Sequence, residues 1–340
     1  MSCRLPVLIA LAAASVAAAP APAAVAAPAV LSTEQRPPAV AGWRGTVMWS
    51  SFDRADGRYH LMASREGGAP ERLPVPPADG PFDVDLGTNA TGSTYAVYSR
   101  CIEPGEEPDL PRTNCDLYRL ALASGREEHL TGLSSPRWDE REPTIMRGQV
   151  AFVRRERHGG ATKDVLRMGN TAPGAGNTRQ LAQTVVDRTA LLQPELTASH
   201  IAYVVRDPGP YEFGRERLQL RVLRTGRVRT VYTATSGGAN AADITQPAAT
   251  DSGRGFVFVR TNHGSGTGNR ILRLDLSGDI TMAQGTGYEI SSSWAGNELG
   301  AVVGIDRSGT GSCFSDADDV PEQTECSVQL TGRLAFRRPF

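Results

Sequence analysis

Short apolar runs alternate with polar turns along almost the whole chain, and this alternation predicts the secondary structure. The runs are rich in Val, Ile, Tyr and Phe and are bounded by Gly, Asn, Asp and Pro. No stretch shows convincingly the apolar spacing of three to four residues that is typical of an amphipathic helix. The pattern therefore predicts a protein that is nearly all β-strand.

One type of run recurs at regular intervals, which indicates a repeated structural unit. The runs YAVYSR, VAFVRR, IAYVVR and FVFVRT begin at residues 95, 150, 201 and 256, so that successive starts lie 51 to 55 residues apart. Two further runs, VMWSS at 47 and AVVGID at 301, belong to the same series. With the segments before and after each run, the chain divides into six units of four short strands.

Units of four antiparallel strands at this spacing are typical of β-propeller blades, which bury their faces against neighbouring blades. We therefore predict an all-β fold, a six-bladed β-propeller of four-stranded antiparallel blades over residues 38–340. An array of β-sandwiches is the alternative, although a sandwich needs more strands per unit.

The repeat also resembles that of the TolB-like propeller family. The resemblance lies in a strand with DLY at 116–118, a turn with Gly125, and a strand with LT at 130–131 before VAFVRR begins. It covers about residues 38–340 and implies a propeller. Because the linker leads directly into the first blade, we expect a lone propeller without the α/β domain that precedes it in the Tol-system member of the family.

The N-terminal residues have the composition of a secretory signal. One cation, Arg4, precedes an apolar run that is too short to span a bilayer, and Ala-rich sequence follows. Small residues at Ala24 and Ala26 favour cleavage after Ala26. We expect a signal peptide over residues 1–26, an Ala/Pro-rich linker over 27–37, and an exported protein, periplasmic or extracellular, without membrane insertion after cleavage.

Export would place the remaining cysteines in an oxidising compartment, where thiols usually form disulfides. Cys101, Cys115, Cys313 and Cys326 allow three pairings. Pairing by proximity in the sequence joins Cys101 to Cys115 and Cys313 to Cys326, each across an acidic loop that contains proline. A zinc site is the alternative, but no two of these cysteines have the two-residue spacing of common zinc sites.

The charge balance gives no sign of a polyanionic partner. The chain carries 36 basic and 37 acidic residues. Neither nucleic acid nor an anionic membrane surface is therefore expected as a partner. We expect a monomer that acts as a non-catalytic binding or scaffold module for a protein or peptide of the cell envelope.

Two sets of residues are candidate binding sites in the predicted propeller. The first strand of each blade lines the central channel, and long loops on one face are held by a rigid scaffold. The polar residues expected at the channel mouth are Asp83, Asp85, Glu142, Gln193 and Gln246. The charged residues expected on rim loops include Glu106, Glu107, Arg154, Arg155 and Arg157. Together the rim loops predict a face that is acidic on one side and basic on the other.

Metal binding and catalysis are the alternative functions. Asp316, Asp318 and Asp319 are closely spaced carboxylates of the kind that calcium binds, which would make the chain a calcium-stabilised structural domain. No other cofactor is expected, and the five histidines are not expected to assemble a site. The sequence has no G-x-S-x-G elbow, so a channel-based enzyme of lyase or hydrolase type is the less favoured interpretation.

Mass spectrometry of peptides from the unreduced mature protein tests the cysteine pairing. We expect one linked pair through Cys101 and Cys115 and another through Cys313 and Cys326, because each bridge would join neighbouring strands of one hairpin. A closed loop of about 15 residues stabilises the fold by roughly 3 kcal/mol in the chain-entropy description. Free thiols, or a link between the two pairs, would contradict the blade assignment.

Overall fold

The fold is built from short antiparallel strands joined by turns. The computed structural model describes residues 29–34, 40–103, 113–158, 160–172, 176–186, 189–207, 214–235, 242–250, 252–262, 270–283, 290–297, 300–306, 326–331 and 336–337. All regular secondary structure in these segments is β-strand, as the alternating pattern predicts. Within the same segments, no helix has the length and apolarity that crossing a membrane requires.

Four sheets are each formed by four strands that follow one another in the chain. Blade 1 holds β2 (Val40–Trp43), β3 (Thr46–Asp53), β4 (Arg58–Arg65) and β5 (Glu71–Arg72). Blade 2 holds β6 (Asp83–Thr88), β7 (Thr94–Glu103), β8 (Thr113–Ala121) and β9 (Arg126–His129). Blade 3 holds β10 (Asp139–Met146), β11 (Gln149–His158), β12 (Ala161–Asn170) and β13 (Arg179–Val185). Blade 4 holds β14 (Ala190–Leu196), β15 (His200–Asp207), β16 (Arg215–Val222) and β17 (Val228–Thr235).

The chain termini complete the two remaining sheets. The closing blade is four-stranded and joins β22 (Ile290–Asn297), β23 (Gly300–Asp306) and β24 (Cys326–Thr331) to the N-terminal strand β1 (Ala29–Glu34). The other sheet has five strands, β18 (Ala242–Ala249), β19 (Gly255–Asn262), β20 (Arg270–Asp275), β21 (Ile280–Ala283) and the C-terminal β25 (Phe336–Arg337).

The prediction of six four-stranded blades is wrong. Among the described residues there are five four-stranded antiparallel blades, and the remaining sheet has five strands. The difference arises at the outer edge of β24, whose backbone groups pair with β1 from Glu34 opposite Cys326 to Ala29 opposite Leu330. A strand has one free edge at the rim of a sheet, so β25 pairs with β21 instead.

The segment predicted as an Ala/Pro-rich linker, residues 27–37, contains the strand β1. Its last residue, Glu34, is buried, and its carboxylate accepts hydrogen bonds from Trp49 Nε1 at 2.9 Å and Ser51 Oγ at 2.8 Å. Both donors lie on β3. The N-terminal strand therefore ties the closing blade to blade 1, although its sequence AVLSTE has only a short apolar run.

The second strand of each blade is an apolar run because neighbouring sheets cover both of its faces. In β15, residues 201–205 are all buried. In β16, at the next position outward, buried and partly exposed residues alternate. The sequence runs that reveal the repeat are therefore the strands with the most complete burial.

The first strands of the sheets lie side by side around the centre of the molecule. Contacts link β2 to β6, β6 to β10, β10 to β14, β14 to β18, β18 to β22 and β22 to β2. Packing between these inner strands is close at Gly87, where an added Cβ would lie 1.9 Å from the carbonyl oxygen of Ile145. The six inner strands therefore form a closed ring, which is the wall of the predicted channel.

A proline-containing β-bulge recurs in three of these inner strands. The register shifts between Arg141 and Thr144, and the same shift occurs in β14 and β18 at the Gln-Pro pairs 193–194 and 246–247. Glu142 and Gln193 each adopt a φ of 49°, in the left-handed region. Proline suits this position because the channel-facing edge of an inner strand needs no ladder donor there.

The disulfide between Cys101 and Cys115 is confirmed. The two residues are direct partners of β7 and β8, with their Cα atoms 3.9 Å apart. Cys326 opens β24, and its predicted partner Cys313 lies outside the described residues. The second bridge therefore stays a prediction.

Replacing Gly87 tests the close packing of the inner strands. Gly87→Ala should lower the free energy of unfolding by about 3 kcal/mol or prevent folding, because the new methyl group meets a backbone carbonyl that cannot rotate away. Gly176→Ala is the control, since its Cβ would meet its nearest atom at 4.0 Å. Urea unfolding measures both. Equal stability of the two variants would contradict the packing described for β6 and β10.

Candidate functional site

The residues predicted at the channel mouth lie on the inner strands. Asp83 and Asp85 lie on β6, Glu142 on β10 and Gln193 on β14. Gln246 occupies the matching place on β18, where its backbone position is described. All five residues therefore lie on inner strands, and the three carboxylates of the set lie on two successive ones, β6 and β10.

Each of three channel carboxylates binds a backbone N–H of the next inner strand. Asp85 Oδ2 accepts the N–H of Ile145 at 2.8 Å, and Glu195 Oε1 accepts the N–H of Ala249 at 2.9 Å. Glu142 accepts the N–H of Gln193 in the same way. Backbone groups at the channel side of a strand have no ladder partner, so a carboxylate from the neighbouring blade satisfies them.

Asp85 and Glu195 face each other across the hydroxyl of Thr144. Thr144 Oγ1 lies 3.3 Å from Glu195 Oε2, accepts the N–H of Leu196 at 3.1 Å, and also faces Asp85. A threonine hydroxyl has a single hydrogen and serves as donor to one carboxylate at a time. One proton shared by the two carboxyl groups would supply the second hydrogen-bond donor between them.

Burial raises the pKa of both carboxyl groups. Loss of solvation raises the pKa of Asp85 to about 6, although the N–H of Ile145 opposes the shift. Burial also raises the pKa of Glu195 well above its ordinary value, and the nearby Asp85 raises it further. Two carboxyl groups in one site cannot both ionise cheaply, so they titrate as a pair.

Asp83 and Glu142 form the acidic part of the channel mouth. Both side chains are partly exposed, and Asp83 Oδ2 accepts the hydroxyl of Ser99 at 2.9 Å. The pKa of Glu142 is raised to about 7. Burial is the largest cause, Asp83 and Asp164 act in the same direction, and Arg141 opposes them. Asp83 and Glu142 are therefore close enough for their charges to interact.

The arginines predicted on a rim loop lie in the strand β11 instead. β11 runs to His158 and β12 starts at Ala161, so the connection is too short to hold them. Arg154 Nε donates to Glu140 Oε1 at 2.6 Å, and Arg155 Nε donates to Asp164 Oδ1 at 3.0 Å. Arg157 is exposed. Two of the three arginines therefore neutralise carboxylates of their own blade.

Glu140 is an internal partner of this blade. It is fully buried and binds Arg154 and the N–H of Ser135, and burial raises its pKa to about 8. The predicted rim acids Glu106 and Glu107 lie outside the described residues. The predicted calcium ligands Asp316, Asp318 and Asp319 do so too.

Sequence reasoning missed Thr144 and Glu195. Both stand two residues after the bulge position, in the stretches EPT at 142–144 and QPE at 193–195. The bulge interrupts the strand period of two at these positions, so alternation alone does not assign their faces. The repeated Glu/Gln-Pro pair was visible in the sequence, and extending it by one residue would have found both.

Comparison with known proteins supports the fold without identifying a family. No protein-family model and no curated protein matches the chain. A puromycin hydrolase mutant complexed with PGG aligns with a TM-score of 0.52 and 16% identity, over 79% of this chain and 50% of that one. A second puromycin hydrolase structure gives 0.51 and 15% over the same shares, and TolB from Acinetobacter baumannii gives 0.49 and 11% over 87% and 67%.

These alignments concern the fold alone. The chain spans about half the length of the puromycin hydrolase structures. The expected resemblance to TolB-like propellers is supported as a propeller fold, which the sheets themselves show.

The paired carboxyl groups make stability depend on pH in an unusual direction. Their folded pKa values lie above those of the unfolded chain, near 4, so the folded state binds more protons between about pH 4 and pH 7. The free energy of unfolding should therefore fall as pH rises through this window. The shift of Asp85 alone corresponds to at most about 3 kcal/mol.

Glu195→Gln should flatten this dependence, because the amide cannot ionise and leaves Asp85 without a charged neighbour. Urea unfolding at pH 4.5, 5.5, 6.5 and 7.5 provides the measurement. Glu71→Gln, which alters an exposed ion pair with Arg65, serves as the control and should keep the wild-type slope. A Glu195→Gln slope equal to that of the wild type would refute the pairing.

Proposed function

We propose that the protein is an exported, non-catalytic binding or scaffold propeller that engages a protein or peptide partner at its channel mouth. The observation that carries this proposal is the pair of partly exposed carboxylates, Asp83 and Glu142, on adjacent inner strands. They lie where a rigid ring presents side chains to solvent, which is how propellers commonly offer a binding surface.

Both carboxylates are held in place before a partner arrives. The N–H of Gln193 fixes Glu142, and the hydroxyl of Ser99 fixes Asp83. Preorganised groups lose little conformational entropy on binding. A cationic side chain or terminal amine of a partner would favour the ionised form of Glu142, whose pKa burial and neighbouring acids raise.

The two carboxylates that face Thr144 support a scaffold role. Asp85 and Glu195 each use an oxygen to hold the backbone of the next blade. Both also face the hydroxyl of Thr144, whereas Glu142 binds the N–H of Gln193 through Oε2 and offers Oε1 to a partner. We therefore assign partner binding to Asp83 and Glu142, and structural support to Asp85 and Glu195.

Export rests on the N-terminal composition, and the disulfide between Cys101 and Cys115 is consistent with an oxidising compartment. A partner in the cell envelope follows from that location. A single chain with a closed ring of sheets needs no second copy to complete the site, so the proposed binding unit is a monomer.

A comparative pull-down from envelope extract tests the mouth. Asp83→Asn with Glu142→Gln keeps the shape of both side chains and removes their charge, so a captured partner should be lost. The control, Glu66→Gln with Glu71→Gln, removes the same charge at an exposed turn of blade 1 and should retain it.

The captured partner is then purified and titrated against the wild-type protein and both double variants. We expect at least a tenfold weaker affinity for the mouth variant, a change of about 1.4 kcal/mol, and a smaller salt dependence. Capture that is unchanged by the mouth variant, or reduced equally by both variants, would overturn the proposal.

A further inference from the structure

We propose that Asp53, Asp56 and His60 form a binding site for a divalent transition-metal ion such as Zn²⁺ on the β3–β4 turn of blade 1. Each side chain offers one ligand atom, and the three atoms all lie within 4.8 Å of one another. The site shares no residue with the channel mouth, so it stands independently of the proposed binding function.

The turn fixes both carboxylates by their inner oxygens. Asp53 Oδ1 accepts the N–H of Ala55 at 2.9 Å, and Asp56 Oδ1 accepts the N–H of Arg58 at 3.0 Å. Gly57, with a φ of 69°, provides the left-handed residue that the turn needs. The second oxygen of each carboxylate, Oδ2, is thereby directed to one side of the turn, where both lie near Arg72.

His60 adds a nitrogen ligand at the base of the site. Its side chain is 6% exposed, and Nε2 lies 2.8 Å from Asp56 Oδ2. A buried imidazole beneath two half-exposed carboxylates is a mixed nitrogen and oxygen donor set. Zinc and its neighbours in the first transition row use such sets, whereas calcium and magnesium prefer oxygen alone.

A side-chain cation already occupies the position above the two carboxylates. Arg72 Nη2 lies 3.5 Å from Asp53 Oδ2 and 3.6 Å from Asp56 Oδ2. The position therefore attracts positive charge. Because the Arg72 side chain is 50% exposed and both distances are long, the guanidinium can move into solvent when a metal ion takes its place.

Three protein ligands leave the remaining coordination positions to water. This arrangement is open on the solvent side, since the two Asp side chains are 43% and 41% exposed. The imidazole must be neutral to bind, so protons compete with the metal ion.

Isothermal titration of the untagged mature protein with ZnCl₂ and CaCl₂ tests the site. At pH 7.5 we expect one zinc ion per chain with micromolar affinity and no comparable binding of calcium. Asp53→Asn and His60→Gln should each weaken zinc binding at least tenfold. Asp79→Asn, which changes an exposed carboxylate paired with Arg58, is the control and should bind as the wild type does.

Two further measurements keep the result interpretable. Asp53 is a partly exposed turn residue, so its variant reports on the site if His60→Gln fails to fold by circular dichroism. Arg72→Gln should bind zinc several-fold more tightly, because it removes the competing cation. Zinc binding that is absent from the wild type, or unchanged in the Asp53 and Arg72 variants, would overturn the proposal.

Discussion

The ring depends on hydrogen bonds that pass from one blade to the next through carboxylate side chains. Within a blade, the strand ladder satisfies the backbone, but the inner strands have no ladder partner on the channel side. Asp85, Glu142 and Glu195 supply acceptors there, each for an N–H of the following inner strand. At three of the six contacts between inner strands, an acid therefore joins two separate sheets in addition to apolar packing.

This solution has an electrostatic cost. A carboxylate taken out of water is destabilised unless donors or a proton compensate it. Thr144 faces both Asp85 and Glu195, and burial raises the pKa of both carboxyl groups, as it does for Glu142. The raised pKa values of the three acids thus have one origin, the need to satisfy inner-strand backbone with acidic side chains.

Much of this architecture could be predicted from the sequence, because strands that are buried on both faces appear as continuous apolar runs. The repeated apolar runs located the second strand of each blade, and the assignment of Asp83, Asp85, Glu142 and Gln193 to first strands followed from them. The strand pairing at the termini was not predictable, since β1 has only a short apolar run outside the repeat and β25 has two residues. The triad of Asp53, Asp56 and His60 was also missed, because hairpin geometry rather than sequence spacing brings it together.

The closing blade has a consequence for how the protein folds. Its edge strand β1 is near the start of the chain and its partner β24 is near the end, with Glu34 paired to Cys326. The closing sheet is therefore a contact of very high sequence separation, whose loop-closure entropy must be overcome before the ring is complete. Blades 1 to 4 pair strands that are neighbours in the sequence, whereas closure brings together segments from near the two ends of the chain.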